Sequence, residues 1–291
     1  MTNRDFPVQS FKGLDFYSQT LDTVVLNSAG AYSQLQYTVS EQTTVTAGVR
    51  FDDYNKFDHK TSLRLALVQK LNQANTLKAF YGSAYRTPTL GQMDTTNNLS
   101  VADNPDLGPE TIDTLELVWL YHYSRLSFVT SVFYNEIDDR IDSSTTVDGR
   151  RTTINQDREY SSGIELEGSV DLTGNWSIRS GFTAFIHLPE SSFSESDRLA
   201  SLILDYDREK WWVNLSCYYN NQRQFSLSSA NDSDSFVTLN GKLGYRITPK
   251  LVLDLQIKNI GNSDIQSIPQ TSGISTALPY RSREMSAGIE V

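Results

Sequence analysis

Three histidines, one cysteine and a few paired acids are the residues that could make or break bonds in this chain. His59, His122 and His187 stand apart, with no Gly-x-Ser-x-Gly turn and no metal-spaced histidine pair beside them. Catalysis by a side-chain nucleophile needs that nucleophile, a base and a group that orients the base. Only His59 beside Asp58 invites the idea, and one histidine next to one acid is not such a set. Cys217 has no cysteine or histidine partner at ligand spacing, so neither an internal disulfide nor a zinc staple is expected. The pairs Asp52-Asp53 and Asp138-Asp139 fall where strands run into loops and read as solvated charges. No catalytic residue, metal site or cofactor is therefore expected.

The elements that must position the remaining polar residues have a period of two. From Thr43 to Phe51, Val45, Ala47, Val49 and Phe51 share one face, and Thr44, Thr46, Gly48 and Arg50 share the other. The pattern returns at Leu63, Leu65 and Leu67, at Leu115, Leu117 and Trp119, and at Leu251, Leu253, Leu255 and Ile257. About 13 such strands can be traced, with residues 8 to 18 as a candidate fourteenth. Their connections alternate in length. Short turns near residues 40–42, 71–75, 123–125, 172–175, 206–210 and 248–250 are interleaved with longer segments such as Arg86 to Thr111 and Asp138 to Tyr160. All eight prolines lie in connections. Tight turns at one end and long loops at the other are the signature of an up-and-down transmembrane barrel, whose strands place only every second residue in lipid. No run of about 18 apolar residues is present, which excludes a membrane-spanning helix. Tyr37, Tyr121, Tyr123, Trp176, Tyr206, Trp211, Trp212 and Tyr245 lie near the short turns and are expected to form an interfacial belt. A net charge of -10 without a basic stripe argues against nucleic acid.

Two segments carry more than periodicity. Tyr81-Gly82-Ser83-Ala84-Tyr85-Arg86-Thr87-Pro88 ends one strand, and Asn104-Pro105-Asp106-Leu107-Gly108-Pro109-Glu110-Thr111 leads into the next. Pro88 cannot join a ladder, so Arg86 is set at a rim where its fork can hold loop carboxylates or carbonyls. Pro105 and Pro109 stiffen the returning loop and place Glu110 at the strand entrance. Together the two boxes resemble those of TonB-dependent outer-membrane receptors. Gly163-Ile164-Glu165-Leu166-Glu167, following Asn155, is similar to a later strand of that family, and Lys258-Asn259-Ile260-Gly261-Asn262 is similar to its Asn-Leu-Phe-Asp strand end. Gly30 to Gln34 and Thr46 to Asp52 resemble its Tyr-x-Gln and Gly-x-Arg-hydrophobic-Asp strands.

The resemblance implies an all-β, antiparallel transmembrane barrel, with residues 28–291 as its wall and residues 1–27 as an N-terminal segment holding at most one strand and an outer loop. The family's signal peptide, energy-coupling box and plug have no counterpart in this sequence, so the chain is expected to be the C-terminal part of a larger barrel. It also implies membrane lipid as a partner, contact with the TonB complex only through a plug, and uptake of an iron chelate across a Gram-negative outer membrane. No histidine lies between Thr87 and Asp103, which points away from heme and towards ferric siderophores. The residues suited to such an anionic, aromatic cargo are Arg86, Arg150, Arg151, Arg158 and Tyr160, through charge and stacking. Two other readings share the same alternation: a passive outer-membrane channel and a soluble or surface β-sheet binding module.

Overall fold

A computed structural model describes residues 26–93, 100–192, 195–224, 232–267, 278–279 and 282–290. The chain runs β1 (Ser28–Ser40), β2 (Thr43–Tyr54), β3 (Lys60–Lys70), β4 (Asn75–Arg86), α1 (Leu90–Met93), β5 (Glu110–Tyr123) and β6 (Leu126–Asp138). The short strands β7 (Arg140–Thr145) and β8 (Arg151–Gln156) form a separate hairpin before β9 (Glu159–Thr173), β10 (Trp176–His187), β11 (Arg198–Arg208) and β12 (Trp211–Asn220). The two-residue strands β13 (Arg223–Gln224) and β14 (Asp232–Ser233) then precede β15 (Phe236–Thr248) and β16 (Leu251–Lys258). After β17 (Gln266–Ser267) and β18 (Leu278–Pro279), β19 (Glu284–Glu290) ends the described chain.

Thirteen strands make one sheet in the order β1-β2-β3-β4-β5-β6-β9-β10-β11-β12-β15-β16-β19. Skipping only the loop hairpins, each sheet strand pairs with the next one along the chain. This is the up-and-down order expected from the sequence, and β1 and β19 are its two ends rather than partners. Among the described residues the sheet does not close on itself. The candidate strand at residues 8 to 18 lies outside the described residues. All six short turns stand where the pattern put them, and Ser124 and Glu209 adopt positive φ (54° and 30°) to close two of them.

Burial is inverted relative to a water-soluble sheet. Leu65, Leu115, Leu117 and Leu255 lie 49, 56, 55 and 43% exposed in mid-strand, while Ser131 and Ser216 are buried, and so is Asp52, which is not the solvated charge expected from sequence but is gripped by Arg50 at 2.6 Å. Exposed leucines in register across many strands have no place in water, where contiguous apolar surface of this extent would be covered. Lipid is the solvent that suits them. Across the last strands, Val213, Leu243, Leu255 and Ala287 stand in one cross-strand row, and Asn214, Lys242, Gln256 and Ser286 in the next. The polar face is cross-linked: Arg179 reaches Asp205 at 2.8 Å, Asn214 donates to the other Asp205 oxygen at 2.7 Å, and Lys242 pairs with Asp254 at 3.4 Å.

The expected aromatic belt needs one correction. Trp176 stacks on Tyr206 (4.6 Å between centroids) and Trp211 on Tyr245 (4.5 Å), each pair directly opposite across neighbouring strands. Trp212 faces the other way. It stands opposite Gly244, where a Cβ would sit 2.1 Å from the indole nitrogen, and Lys242 Nζ lies 5.0 Å over its ring. Alternation overrides nearness to the turn, so Trp212 belongs to the polar face.

Contact density divides the described chain into two compact units. One holds β1, β2, the outer ends of β3 to β6 and the β7–β8 hairpin; the other holds the turn-side ends of those strands and everything from Ser161 onward. The candidate site lies wholly within the first.

Candidate functional site

The two sequence boxes and the loop hairpin close on one another at the outer strand ends. β4 stops at Arg86, and Pro88 is buried directly after it. Thr89 then caps α1, with Gln92 Oε1 accepting from the Thr89 amide at 2.9 Å, the reciprocal bond of a capping box. This single turn delivers Met93 into the interior. Met93, Leu107 and Ile141, with Phe57 against them, form a small apolar core in which Leu107 is 2% exposed.

Each residue of the second box has a task in that packing. Asn104 donates to the Thr153 carbonyl on β8 at 2.9 Å, while its own side-chain oxygen accepts from Asp106 N at 3.2 Å in a tight Asx turn. Pro105 and Pro109 fix φ on either side of Leu107, and Pro109 is buried. The Gly108 peptide is read from both sides by Asn155, which accepts from Gly108 N at 2.8 Å and donates to Gly108 O at 3.0 Å. Asn155 also donates to Asp139 O at 2.7 Å, at the left-handed bend that starts the hairpin.

Arg86 and Glu110 form a two-pronged pair, with Nε to Oε1 at 2.9 Å and Nη2 to Oε2 at 2.8 Å. The same pair grips Ile141: Glu110 accepts its amide at 2.9 Å and Arg86 donates to its carbonyl at 3.3 Å. Tyr85, next in the first box, exchanges a 2.8 Å hydroxyl bond with Tyr54. Glu110 starts a 14-residue strand, and since nine to eleven residues cross a bilayer, it stands above the lipid. The Arg86 guanidinium holds the Glu110 carboxyl below the usual glutamate range, helped by the Ile141 amide and opposed by burial. Arg140 adds a further positive charge.

A group whose folded pKa is depressed contributes stability that is present above its unfolded pKa and lost as pH falls through the folded value. The hairpin is accordingly expected to stay docked down to about pH 4, the ordinary glutamate range, and to loosen only below it. Pepsin, active throughout that acid range, is the reporter. Cleavage within residues 139–156 should begin only below about pH 4, whereas cleavage already under way at about pH 5 would contradict the role given to Glu110.

The cations proposed from sequence are not gathered into one cluster. Arg150 is held by Asp148 across the hairpin tip at 2.7 Å, and Thr146 and Arg150 together keep the Asp148 carboxyl below its usual range. Arg158 is shared by Asp138 at 2.6 Å and Glu136 at 3.2 Å. Arg140, not singled out in the sequence, pairs with Asp142 and Glu159. Arg151 differs. Its side chain is exposed with no acidic partner among the described residues, and its backbone is bonded on both sides, from Arg151 N to Ser100 O at 2.9 Å and from Ala102 N to Arg151 O at 2.7 Å. Tyr160, 43% exposed, has the strand parity of Ile164 and Leu166, the lipid-side residues of β9.

Two further motifs are structural. Gly163 leaves room where a Cβ would lie 2.6 Å from Ala184 O and 2.7 Å from the Phe133 ring. Asn259, buried at φ 50°, ends β16: its amide donates to Asn240 Oδ1 at 2.9 Å, and its side chain brackets Ser263 through two 2.8 Å bonds. Among the described residues no group of three or more His, Cys, Asp or Glu could hold a metal ion.

Comparison with known proteins adds a family. The model described as "TonB dependent receptor-like, beta-barrel" matches residues 2–260. The probable TonB-dependent siderophore receptor PirA of Acinetobacter baumannii is 32% identical over 146 residues, 44% of this chain and 19% of that protein. The vitamin B12 transporter BtuB of Vibrio vulnificus is 21% identical over 235 residues, 77% of this chain and 36% of that protein. In structure, a mutant of the ferric enterobactin receptor PfeA of Pseudomonas aeruginosa, in complex with enterobactin, superposes with a TM-score of 0.76 at 15% identity. The superposition covers 91% of this chain and 45% of that one, and at that identity it shows the fold alone. The chain thus spans less than half the length of these relatives.

Proposed function

Because the chain belongs to the TonB-dependent receptor-like β-barrel family, we propose that it supplies the lipid-facing wall and outer rim of a Gram-negative outer-membrane receptor. Its cargo is a ferric siderophore-like chelate, and TonB energises the intact receptor. The family is one of receptors and transporters rather than enzymes. The observation that carries the reading is the inverted burial: leucines outward in register, a cross-linked polar face inward, and a braced loop platform at one end. A passive channel would need no such braced platform, and a soluble module would bury its leucines. The siderophore class is supported by the names of PirA and PfeA and by the absence of histidine between Thr87 and Asp103. The BtuB relatives, aligned over more of the chain, make a cobalamin the competing cargo.

Uptake of radiolabelled ferric siderophore by cells that lack their own receptors and carry this wall within an intact, plug-bearing receptor is the test. Import abolished by collapsing the proton gradient is expected. Import of cyanocobalamin in its place would replace the cargo, and ungated diffusion of small sugars would favour the channel. Among the rim candidates Arg86, Arg150, Arg151, Arg158 and Tyr160, we assign the direct anion contact to Arg151. Neutralising Arg150 and Arg151 together should weaken chelate binding by about 1 to 3 kcal/mol, the scale of lost charge-assisted hydrogen bonds. The barrel should stay folded, because exposed loop changes cost little. The single change Arg151→Ala should account for most of the loss, since Arg150 is already neutralised by Asp148.

A further inference from the structure

The Arg86–Glu110 pair is more than a rim salt bridge, because both partners also bond one residue of another element. Glu110 takes the Ile141 amide at 2.9 Å and Arg86 gives to the Ile141 carbonyl at 3.3 Å. A neighbouring β-strand would offer the same donor and acceptor, so the ion pair stands in for a strand along the outer edge of β7. The grip of this pair is on the Ile141 backbone.

We propose that Arg86 and Glu110 are positioning residues: they clamp the Ile141 peptide, and so hold the β7–β8 hairpin where Arg151 meets the cargo. The proposal rests on the reading of this chain as a chelate receptor. The rest of the hairpin is fastened in the same manner. Asn155 brackets the Gly108 peptide, Asn104 holds Thr153 O, and Ser100 and Ala102 hold both sides of Arg151. Ile141 itself is 7% exposed and packs on Leu107 and Met93, so clamp and apolar contact meet at one residue. Arg151 is thereby an exposed guanidinium on an immobilised backbone, while Arg140, Arg150 and Arg158 on the same segment are taken by acids. A charge presented this way loses little freedom on binding, which is where preorganisation adds affinity.

The experiment uses the protein in outer-membrane vesicles and reads two quantities, amide hydrogen exchange across residues 139–156 and affinity for gallium enterobactin. In Glu110→Ala, protection in that segment is expected to be lost almost entirely while strands β9 to β16 keep theirs, and because the chelate Kd scales with the reciprocal of the docked fraction, a docked fraction of about one tenth raises Kd about tenfold. Glu110→Gln keeps an acceptor for the Ile141 amide but loses the charge that holds Arg86, so it should fall between the unaltered protein and Glu110→Ala in both protection and affinity. Unchanged exchange in Glu110→Ala overturns the clamp. Full loss of protection with unchanged Kd overturns the positioning role. Arg151→Ala separates the underlying reading: if it leaves both Kd and exchange unchanged while Glu110→Ala still loosens the hairpin, the clamp stands and the cargo contact lies elsewhere. If gallium enterobactin does not bind the unaltered protein, exchange alone decides the clamp and the cargo class is at fault.

Discussion

Leu255→Arg is expected to cost the assembled barrel about 2 to 4 kcal/mol, while Gln256→Arg, one residue along, costs less than about 1 kcal/mol. Leu255 is the fifth residue of β16, which begins at a tight turn, and a strand crosses in nine to eleven residues, so its side chain falls near the bilayer midplane. It stands between Leu243 and Ala287 on the neighbouring strands. An arginine there must be dehydrated among acyl chains or drag water and headgroups inward. Gln256 stands between Lys242 and Ser286 on the polar face, where a guanidinium stays wet. Urea titration of the protein folded into lipid vesicles, with heat-modifiable gel mobility as the signal, measures both. Equal costs for the two variants would mean that neither face is lipid.

Leu107→Ala should remove about 2 to 5 kcal/mol from the outer loop platform and almost nothing from the barrel wall. Leu107 is 2% exposed, and with Met93 and Ile141 it makes the apolar core found among the described residues. So small a core has little around it that can collapse into the cavity, which is the condition for a cost at the upper end of that range. The strands do not depend on it, since their stability comes from ladder bonds and lipid contact. Proteolysis should therefore open residues 100–110 and 139–156 while the heat-modifiable barrel persists. Leu107→Met, which conserves volume, should cost less than about 1.5 kcal/mol. Loss of the barrel itself in Leu107→Ala would show that the platform and the wall fold as one unit.

The strands and turns were legible because alternation is local: the faces of Leu253 and Asp254 differ whatever the rest of the chain does. The β7–β8 hairpin was not. Arg140–Thr145 and Arg151–Gln156 carry one isoleucine each among polar residues and gain their order from docking rather than from an alternating apolar stripe. Arg86 and Glu110 could be marked from their boxes, but their shared grip on Ile141 is a backbone contact, which has no residue signature. Ile141 itself was the available signal, one of three aliphatic residues, with Val147 and Ile154, in a charged loop. Arg150 and Arg158 looked like free cations because sequence does not show which of Glu136, Asp138 and Asp148 will reach them. Trp212 was assigned by its nearness to a turn when its parity with Asn214 and Ser216 already placed it inward.

The central claim is that one face of this wall meets lipid, the other a polar lumen, and that the alternation decides which. Single cysteines at Leu239, Asn240, Lys242, Leu243, Leu253, Asp254, Leu255 and Gln256, in a Cys217→Ser background, can be challenged in membranes with a lipid-confined thiol probe and with a membrane-impermeant one. Labelling by the lipid-confined probe at positions 239, 243, 253 and 255, and by the aqueous probe at 240, 242, 254 and 256, is the predicted result. Labelling of the second set from lipid, or of both sets from water alone, would contradict the account.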